Sequence, residues 1–318
     1  TLDGGVAWAR FAEGIPARVG VRDLFIHPRW HDLVVATHGR GIFILDDLTP
    51  IRSLTPEVLA ADAAILPSRP NIMMLGGQLQ TFPGDDEFVG ENPGQNARIV
   101  YYQAKRHLFG DLFLQVYDGE GAALSGRIPG TKQIGINRVD WPMRRPAPKF
   151  PPATTLVPAL QGPRVPEGEY RVVLTRGRDS YDGAITLALD PRSRHSAEDR
   201  ALQQRTADRL YDLLDRLTYA VDAAIELRDE ARTRAESEGG RTARRLNELA
   251  DELDAFRTDV VATSEAGQLS GEETLREELG NLFGAVVAYA GRPADSQVQQ
   301  AGTLADRLEA AEVRFTGI

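Results

Sequence analysis

The sequence predicts a multidomain chain in which antiparallel β domains are followed by an antiparallel helical bundle. Three short β-type runs lie close together in residues 21–47, joined by polar segments with Gly and Pro. Further β-type runs recur through residues 97–194 at a spacing typical of an antiparallel sandwich. From residue 195 onward, apolar residues recur at helical intervals. A chain of 318 residues suggests about two or three domains.

Composition excludes several classes of protein. The hydrophobic content of 42% is enough for real cores, and the net charge of −9 argues against a general nucleic-acid binder. The absence of cysteine excludes disulfides and Cys-based metal sites. No apolar run approaches the roughly 18–20 residues of a transmembrane helix, and the sequence predicts no cofactor. We therefore expect a folded chain whose partners are not nucleic acids.

The first eight residues carry a compact turn motif. Thr1, Asp3, Gly5 and Trp8 fit the pattern [S/T]-x-D-x-G-x-x-W. In this pattern the Asp accepts backbone N–H bonds across a turn, the Gly takes a positive φ, and the Trp folds back as an apolar plug. A catalytic-acid role for Asp3 is the alternative, but the turn explains every specified residue. The motif resembles the Asp-box of bacterial neuraminidase-type (BNR) repeats, which implies that a preceding strand belongs before it.

The next motif contains three predicted strands, Val21–Ile26, Leu33–Thr37 and Ile42–Leu45. Three short antiparallel strands expose a hydrophobic face that they cannot cover alone. The motif therefore predicts more protein around it.

Together with the Asp-box, the stretch from Val21 through LVVATHGRGIFILDD to Thr49-Pro50 resembles the final blade of sortilin-like, Asp-box β-propellers. Many bacterial proteins of that type carry the label glycosyl hydrolase by similarity. The resemblance implies that residues 1–66 end a propeller, that the remaining blades or another chain are its partner, and that the missing outer strand comes from elsewhere. It also implies secretion to an extracellular or periplasmic location.

Four polar residues of this motif are candidate ligand-binding residues: His38, Arg40, Asp46 and Asp47. An arginine offers a planar fork to a carboxylate or phosphate. The favoured alternative is a hairpin turn in which Gly39 and Gly41 supply the backbone geometry.

Three histidines lie near Asp46, namely His27, His31 and His38. Their spacing is not a recognised ligand pattern, so we predict no metal site.

The exit from the propeller is predicted to be a short helix and a strand. Thr55 and Pro56 occupy the N-cap and first helical positions of a helix ending near Ala60, and residues 63–66 form a strand. Residues 67–96 are rich in Gly, Asn, Pro and Asp, which predicts an irregular linker.

Residues 97–194 are predicted to form a β-sandwich, and GINRVDWPMR with VPEGEYRVVLTRG resembles the immunoglobulin-like domains that follow such propellers. We expect Trp141 to close the core and Tyr170 to lie between core and water. An aromatic platform for carbohydrate is the alternative for Trp141. Six strands are predicted: residues 98–104, 112–117, 123–128, 135–141, 168–175 and 184–189.

A proline-rich loop interrupts this domain. Residues 142–166 contain eight prolines, which cannot donate to a sheet ladder. We expect an extended, stiff connection over the surface of the sandwich, and consider ligand recognition by the loop the less common alternative.

Residues 195–318 are predicted to form a four-helix antiparallel bundle. Ser196 caps the first helix, Gly239-Gly240 breaks it, Ser270-x-x-Glu273 forms a capping box for the third helix, and Gly291-Arg292-Pro293 ends that helix. No Glu-x-x-His pair occurs in this region, which argues against a di-iron carboxylate site.

Two functions are compatible with these motifs. The first is the C-terminal region of an exported sortilin-like propeller protein that binds a carbohydrate or protein ligand, or serves assembly, with no catalytic site of its own. The alternative is part of a glycoside hydrolase whose catalytic carboxylates lie mostly in upstream blades. Asp46 and Asp47 are adjacent in an extended chain, so their side chains face opposite ways and cannot form the required carboxylate pair. A peptidase is weaker still, because neither G-x-S-x-G nor H-E-x-x-H occurs.

Overall fold

A computed structural model describes residues 1, 4–8, 10, 14–74, 94–153, 161–262 and 274–318. The described chain is mixed α and β, with several sheets and a C-terminal helical region. It divides into two compact units. Of the described residues, those within 1–74, 94–143 and 166–191 belong to the first unit, and those within 144–153, 161–165, 192–262 and 274–318 belong to the second.

The N-terminal sheet of the first unit has the three strands that the sequence predicts. They are β1 (Val21–Ile26), β2 (Leu33–Thr37) and β3 (Ile42–Leu45), all antiparallel in the order β1-β2-β3. Gly39 and Gly41 in the β2–β3 turn have φ of 73° and 82°. Non-glycine residues rarely adopt this left-handed geometry, so both glycines make the tight turn possible.

After the sheet come two short helices, α1 (Thr49–Arg52) and α2 (Pro56–Ala60). The Thr55 hydroxyl accepts a hydrogen bond from the backbone N–H of Val58 at 3.4 Å, which is the predicted cap. The two strands that follow, β4 (Ala63–Leu66) and β5 (Asn71–Met73), pair with strands much later in the chain. The structure thus differs from the expected division at residue 66, because β4 and β5 belong to the sheets of the expected sandwich region.

Two further sheets complete the first unit. One has the strand order β5-β11-β10-β7-β8, with β5 parallel to β11, and the other has the order β4-β6-β9. The remaining strands are β6 (Ala97–Gln103), β7 (Leu112–Tyr117), β8 (Ile128–Pro129), β9 (Gly135–Trp141), β10 (Gly168–Arg176) and β11 (Asp179–Leu189).

The predicted strand over residues 123–128 is much shorter in the structure. A single bridge joins Tyr117 and Ala123, and β8 has two residues. The backbone N–H of Val116 donates to the Ser125 hydroxyl at 2.9 Å, so a side chain takes the place of a ladder carbonyl and regular pairing stops there.

The sheets β5-β11-β10-β7-β8 and β4-β6-β9 bury alternate side chains along much of their strands. Four side chains illustrate this burial, and each is fully buried: Ile99 and Tyr101 in β6, Leu114 in β7 and Val172 in β10. Where β11 passes β4, a Cβ added to Gly183 would lie 2.4 Å from the Ile65 side chain. Glycine is therefore required for this close approach.

Trp141 and Tyr170 lie together in the core of this unit. They are 1% and 6% exposed, and their rings meet edge to face at 6.0 Å. The Tyr170 hydroxyl donates to the Pro166 carbonyl at 2.7 Å rather than reaching water. Burial, with the charges of Glu167 and Asp118, raises the pKa of Tyr170 to about 12. The alternative interpretation of Trp141 as a platform for carbohydrate is wrong, because the buried Trp141 ring contacts protein.

The second unit contains four described helices. They are α3 (Ala197–Ser237), α4 (Gly240–Val260), α5 (Leu275–Ala288) and α6 (Asp295–Thr316). Ser196 caps α3 in a reciprocal box with Asp199, as in a strong helix start. The predicted box Ser270–Glu273 lies outside the described residues. One core joins all four helices and includes Leu210, Leu214, Phe256, Phe283 and Leu304, each fully buried.

The first two helices form an antiparallel hairpin. Arg228 pairs with Asp254 at 2.8 Å and Arg232 with Asp251 at 3.8 Å, so residue numbers rise along α3 as they fall along α4.

Residues 144–153 and 161–165 of the proline-rich loop belong to this helical unit rather than to the sheets, which differs from the expectation. Phe150 and Ala153 pack against the helical core. The Lys149 carbonyl accepts from the Thr218 hydroxyl at 2.9 Å, and the Pro151 carbonyl accepts from Arg276 Nε at 2.8 Å. Proline removes a donor but leaves the carbonyl, and these carbonyls bind the helices.

Candidate functional site

The four polar residues predicted for ligand binding do not form one cluster. His38 and Arg40 are exposed in the β2–β3 turn, and Asp46 and Asp47 follow β3. Asp46 pairs through Oδ2 with a guanidinium nitrogen of Arg98 at 2.7 Å, with both side chains well exposed. Such a pair contributes little to stability, about 0–1 kcal/mol.

Asp47 holds the backbone rather than a ligand. Its φ of 55° is left-handed, which an Asp tolerates better than most residues. Its Oδ1 accepts from the backbone N–H of Thr49 at 3.0 Å, and its Oδ2 accepts from the backbone N–H of Arg69 at 2.8 Å. Its own N–H donates to Asp32 Oδ1 at 2.9 Å. Both carboxylate oxygens are therefore used in fixing the chain after β3.

Arg69 completes this clamp, which we define as Trp30, Asp32, Asp47 and Arg69. One guanidinium nitrogen of Arg69 donates to Asp32 Oδ1 at 2.6 Å and to the Trp30 carbonyl at 2.9 Å. The guanidinium carbon also lies 5.5 Å from the centroid of the Trp30 ring. The clamp ties the N-terminal sheet to the chain just before β5. Sequence reasoning missed Arg69, because the residue is 37 positions away from Asp32.

Replacing Asp47 should therefore loosen the clamp. We expect Asp47→Ala to lose about 1–3 kcal/mol of unfolding free energy, because two backbone N–H groups lose their acceptor. Asp46→Ala is the matched control, and should cost at most about 1 kcal/mol. Hydrogen exchange at the Thr49 and Arg69 amides should accelerate in the first variant alone. Equal losses of unfolding free energy in Asp47→Ala and Asp46→Ala would contradict this role of Asp47.

His27, which follows β1, also has a structural role. The Nδ1 of His27 accepts from the backbone N–H groups of Arg29 and Trp30 at 3.2 and 3.1 Å. Within the described ranges, no group of three or more His, Cys, Asp or Glu residues could hold a metal ion. Nor is any helix in the described chain long and apolar enough to cross a membrane.

Of the Asp-box residues, Asp3 lies outside the described residues. Gly5 has φ 98° and donates its N–H to the Thr1 hydroxyl at 2.8 Å. The indole N–H of Trp8 donates to the Gly5 carbonyl at 3.0 Å, so the ring folds back as expected. The ring is nevertheless 79% exposed, so it does not act as an apolar plug here.

The most distinctive surface of the first unit is the N-terminal sheet itself. On one face, Phe25, Val34 and Ile44 are direct cross-strand neighbours. Phe25 is 54% exposed and Ile44 is 62% exposed. Ile42, two residues from Ile44 and so on the same face, is 68% exposed.

The opposite face is apolar as well. Leu24, Val35 and Phe43 are direct neighbours across the three strands. Val35 is buried, but Leu24 is 61% exposed and Ile26, on the same face, is 43% exposed. Strands that carry apolar residues on both faces are typical of sheets covered on both sides.

The edge of this sheet is also open. All six residues of β1 are exposed, and among the described strands β1 pairs with β2 alone. An edge strand with free backbone groups can accept a further strand.

Comparison of the chain with family models, with curated proteins and with solved structures finds no match. The function is therefore inferred from the geometry of the sheet and of the residues around it.

Proposed function

We propose that this chain is the C-terminal region of an exported sortilin-like, Asp-box propeller protein with a binding or assembly role. In this proposal the N-terminal sheet is a blade that packs between neighbouring sheets. The observation that carries the proposal is the exposure of large apolar side chains on both faces of one sheet. A propeller blade is covered by its neighbours on both sides, and this requires two apolar faces.

The energetics favour such packing over an isolated sheet. Fully burying one large apolar side chain stabilises a protein by about 1.5–3 kcal/mol. Five large side chains of this sheet, Leu24, Phe25, Ile26, Ile42 and Ile44, are between 43% and 68% exposed. The free energy gained by burying the exposed parts of all five side chains is comparable to the roughly 4–15 kcal/mol that association costs. A partner supplied by the same polypeptide avoids much of that cost.

Features of the two sheets that contain β9 and β10 support the immunoglobulin-like part of the proposal. A buried Trp141 ends β9, and Tyr170 near the start of β10 bonds to the carbonyl four residues upstream. Immunoglobulin-like sandwiches commonly have a buried Trp and a Tyr that bonds back to the preceding backbone. In this proposal the domain is a structural module attached to the propeller.

The carboxylates near β3 favour binding over hydrolysis in this chain. Asp46 is paired with Arg98, and both oxygens of Asp47 accept backbone N–H groups. Glycoside hydrolysis needs two carboxyl groups about 5–10 Å apart across a sugar. Incubation of the chain with a panel of β-glucans and xylans should release no sugar, and any release would favour the hydrolase alternative.

The blade can be tested by adding the repeats that would cover it. The natural polypeptide containing this chain should carry further Asp-box repeats. Those repeats, supplied as a separate polypeptide, should bind and slow hydrogen exchange in β1, β2 and β3. The double variant Ile42→Glu/Ile44→Glu should abolish this protection, because it places two charges in a buried apolar contact.

Phe109→Glu is the matched control, since Phe109 is 86% exposed in a loop elsewhere. It should bind like the natural chain. A parent polypeptide without Asp-box repeats, or a sheet that stays unprotected when they are added, would overturn the proposal.

A further inference from the structure

One end of the first unit carries a loop whose tip is apolar and exposed. The loop joins β6 to β7, and its tip, defined as Leu108 and Phe109, has side chains that are 64% and 86% exposed. Two more apolar side chains lie around the start of β9, the strand that pairs with β6: Ile134 is 66% exposed and Ile136 is 43% exposed. Single exposed apolar residues are normal in proteins, whereas a group of large ones marks an interaction surface.

Hydrogen bonds hold the loop beside its neighbours. The backbone N–H of His107 donates to the Lys132 carbonyl at 3.2 Å, and Lys132 Nζ donates to the Gly110 carbonyl at 2.8 Å. Gly110 has φ 84°, a left-handed value that glycine adopts readily. The N–H of Gly177 in the β10–β11 turn donates to the Asp111 carbonyl at 2.8 Å. The residues on both sides of the loop tip are therefore bonded to neighbouring segments, which keeps the tip at the surface.

Basic side chains surround the loop tip. The three segments that these bonds join contain six lysines and arginines, namely Lys105, Arg106, Arg127, Lys132, Arg176 and Arg178. Three aspartates lie beside them: Asp62, Asp111 and Asp179. The chain as a whole has a net charge of −9. This end of the first unit therefore has the opposite sign of charge from the chain as a whole.

These basic groups can contact a further anion. Within the described part of the chain they form one ion pair, between Arg127 and Asp111 at 3.9 Å, and those two side chains are 69% and 73% exposed. Water screens such a pair, so Arg127 can still contact another anion. Lys105, Arg106 and Arg178 are also exposed. The surface thus combines an apolar tip with a surrounding positive charge.

We propose that this end of the first unit binds an anionic lipid bilayer. Leu108 and Phe109 enter the boundary between headgroups and acyl chains, and the surrounding Lys and Arg contact lipid phosphates. Long basic side chains suit this role, because their stems cover apolar surface while their charges stay in water. A protein partner would need a pocket that fits a protruding ring, whereas lipids rearrange around it. The inference is separate from the role proposed for the N-terminal sheet.

The test is co-sedimentation of the full chain with two kinds of vesicle, one of phosphatidylcholine alone and one with equal parts of phosphatidylcholine and phosphatidylglycerol. The chain should bind the second kind much more tightly, since each Lys or Arg near an anionic surface strengthens binding by about fivefold. Added salt should weaken this binding, because salt screens the attraction. Equal binding to the two kinds of vesicle, or binding to neither, would overturn the proposal.

Phe109→Ala should weaken binding to the anionic vesicles by about tenfold or more, because a large apolar side chain is lost from the acyl boundary. The ring is 86% exposed, so the variant should keep the Tm of the natural chain. Tyr219→Ala is the matched control, because Tyr219 of α3 is 78% exposed, and it should bind like the natural chain. If Phe109→Ala also bound like the natural chain, the loop tip would not enter the bilayer and the proposal would fail.

Lys105→Glu/Arg106→Glu should weaken binding by about a hundredfold or more, because two attractive charges become repulsive. Arg244→Glu/Arg245→Glu makes the same change at neighbouring exposed residues of α4 and should retain binding. Equal losses in these two double variants would contradict a local surface. Soluble polyglutamate separates a bilayer from an acidic protein partner. Binding of polyglutamate as tight as that of vesicles, and unaffected by Phe109→Ala, would identify the acidic partner and overturn the proposal.

Discussion

Glu277→Gln should destabilise the helical unit by about 3–5 kcal/mol. Arg276 and Glu277 are 5% and 4% exposed, and their side chains form an ion pair at 2.5 Å. The second carboxylate oxygen accepts from the backbone N–H of Ala262 at 3.3 Å. A neutral amide of the same shape removes a negative charge that contacts a buried guanidinium, and the loss is large because little water is present to replace that charge.

The adjacent residue provides a matched control for this variant. Glu278 occupies the same first turn of α5, and its carboxylate pairs with Arg307 at 2.7 Å, where Arg307 is 46% exposed. Glu278→Gln should therefore cost no more than about 1 kcal/mol. Urea unfolding followed by far-UV circular dichroism measures both losses. If the two variants were equally stable, the buried pair would not stabilise the fold.

Trp141→Ala should have a similarly large effect on the first unit, about 3–5 kcal/mol. The indole is among the largest fully buried side chains, and its removal leaves a cavity beside Tyr170. Its N–H has no hydrogen-bond partner among the described residues. Trp141→Phe should consequently cost less, because the smaller ring keeps most apolar contacts and removes an unsatisfied donor.

Trp8→Ala is the control for this series. Trp8 is 79% exposed, and substitutions at such positions usually change stability by less than about 0.5 kcal/mol. Denaturant titration followed by near-UV circular dichroism would rank the three variants. A Trp8→Ala loss as large as that of Trp141→Ala would contradict the burial argument.

The parts of the fold that depend on neighbouring residues could be predicted from the sequence. Thr55 and Ser196 start helices because their side chains reach N–H groups three residues away. The N-terminal strands and the break at Gly239-Gly240 follow from alternation and from glycine, which are equally local signals.

Long-range pairing could not be predicted in the same way. The parallel pairing of β5 with β11 joins Asn71 to Leu187, and no local pattern specifies such a partner. Prolines that cannot donate to a sheet ladder predict a connection over the surface of the sandwich, but residues 144–153 and 161–165 of the proline-rich loop belong to the helical unit. Its carbonyls and Phe150 in fact provide the contacts with the helices.

The candidate site was predicted in part. The sequence indicated an apolar face that three strands could not cover, and the structure has two such faces. His38 and Arg40 are exposed as a turn requires, but Asp47 acts on the backbone through a residue 22 positions away. No local sequence pattern connects Asp47 with Arg69, so this contact could not be predicted from the sequence.

The 41-residue helix α3 has a consequence for how the second unit melts. At about 1.5 Å per residue it is roughly 60 Å long. Near its start, the Gln203 side chain donates to the Val286 carbonyl of α5, and further along Arg228 pairs with Asp254 of α4. Because α5 and α4 pack against different parts of the same helix, unfolding of α3 at one contact weakens the other contact as well. Calorimetry should therefore record one heat-absorption peak for the four described helices together.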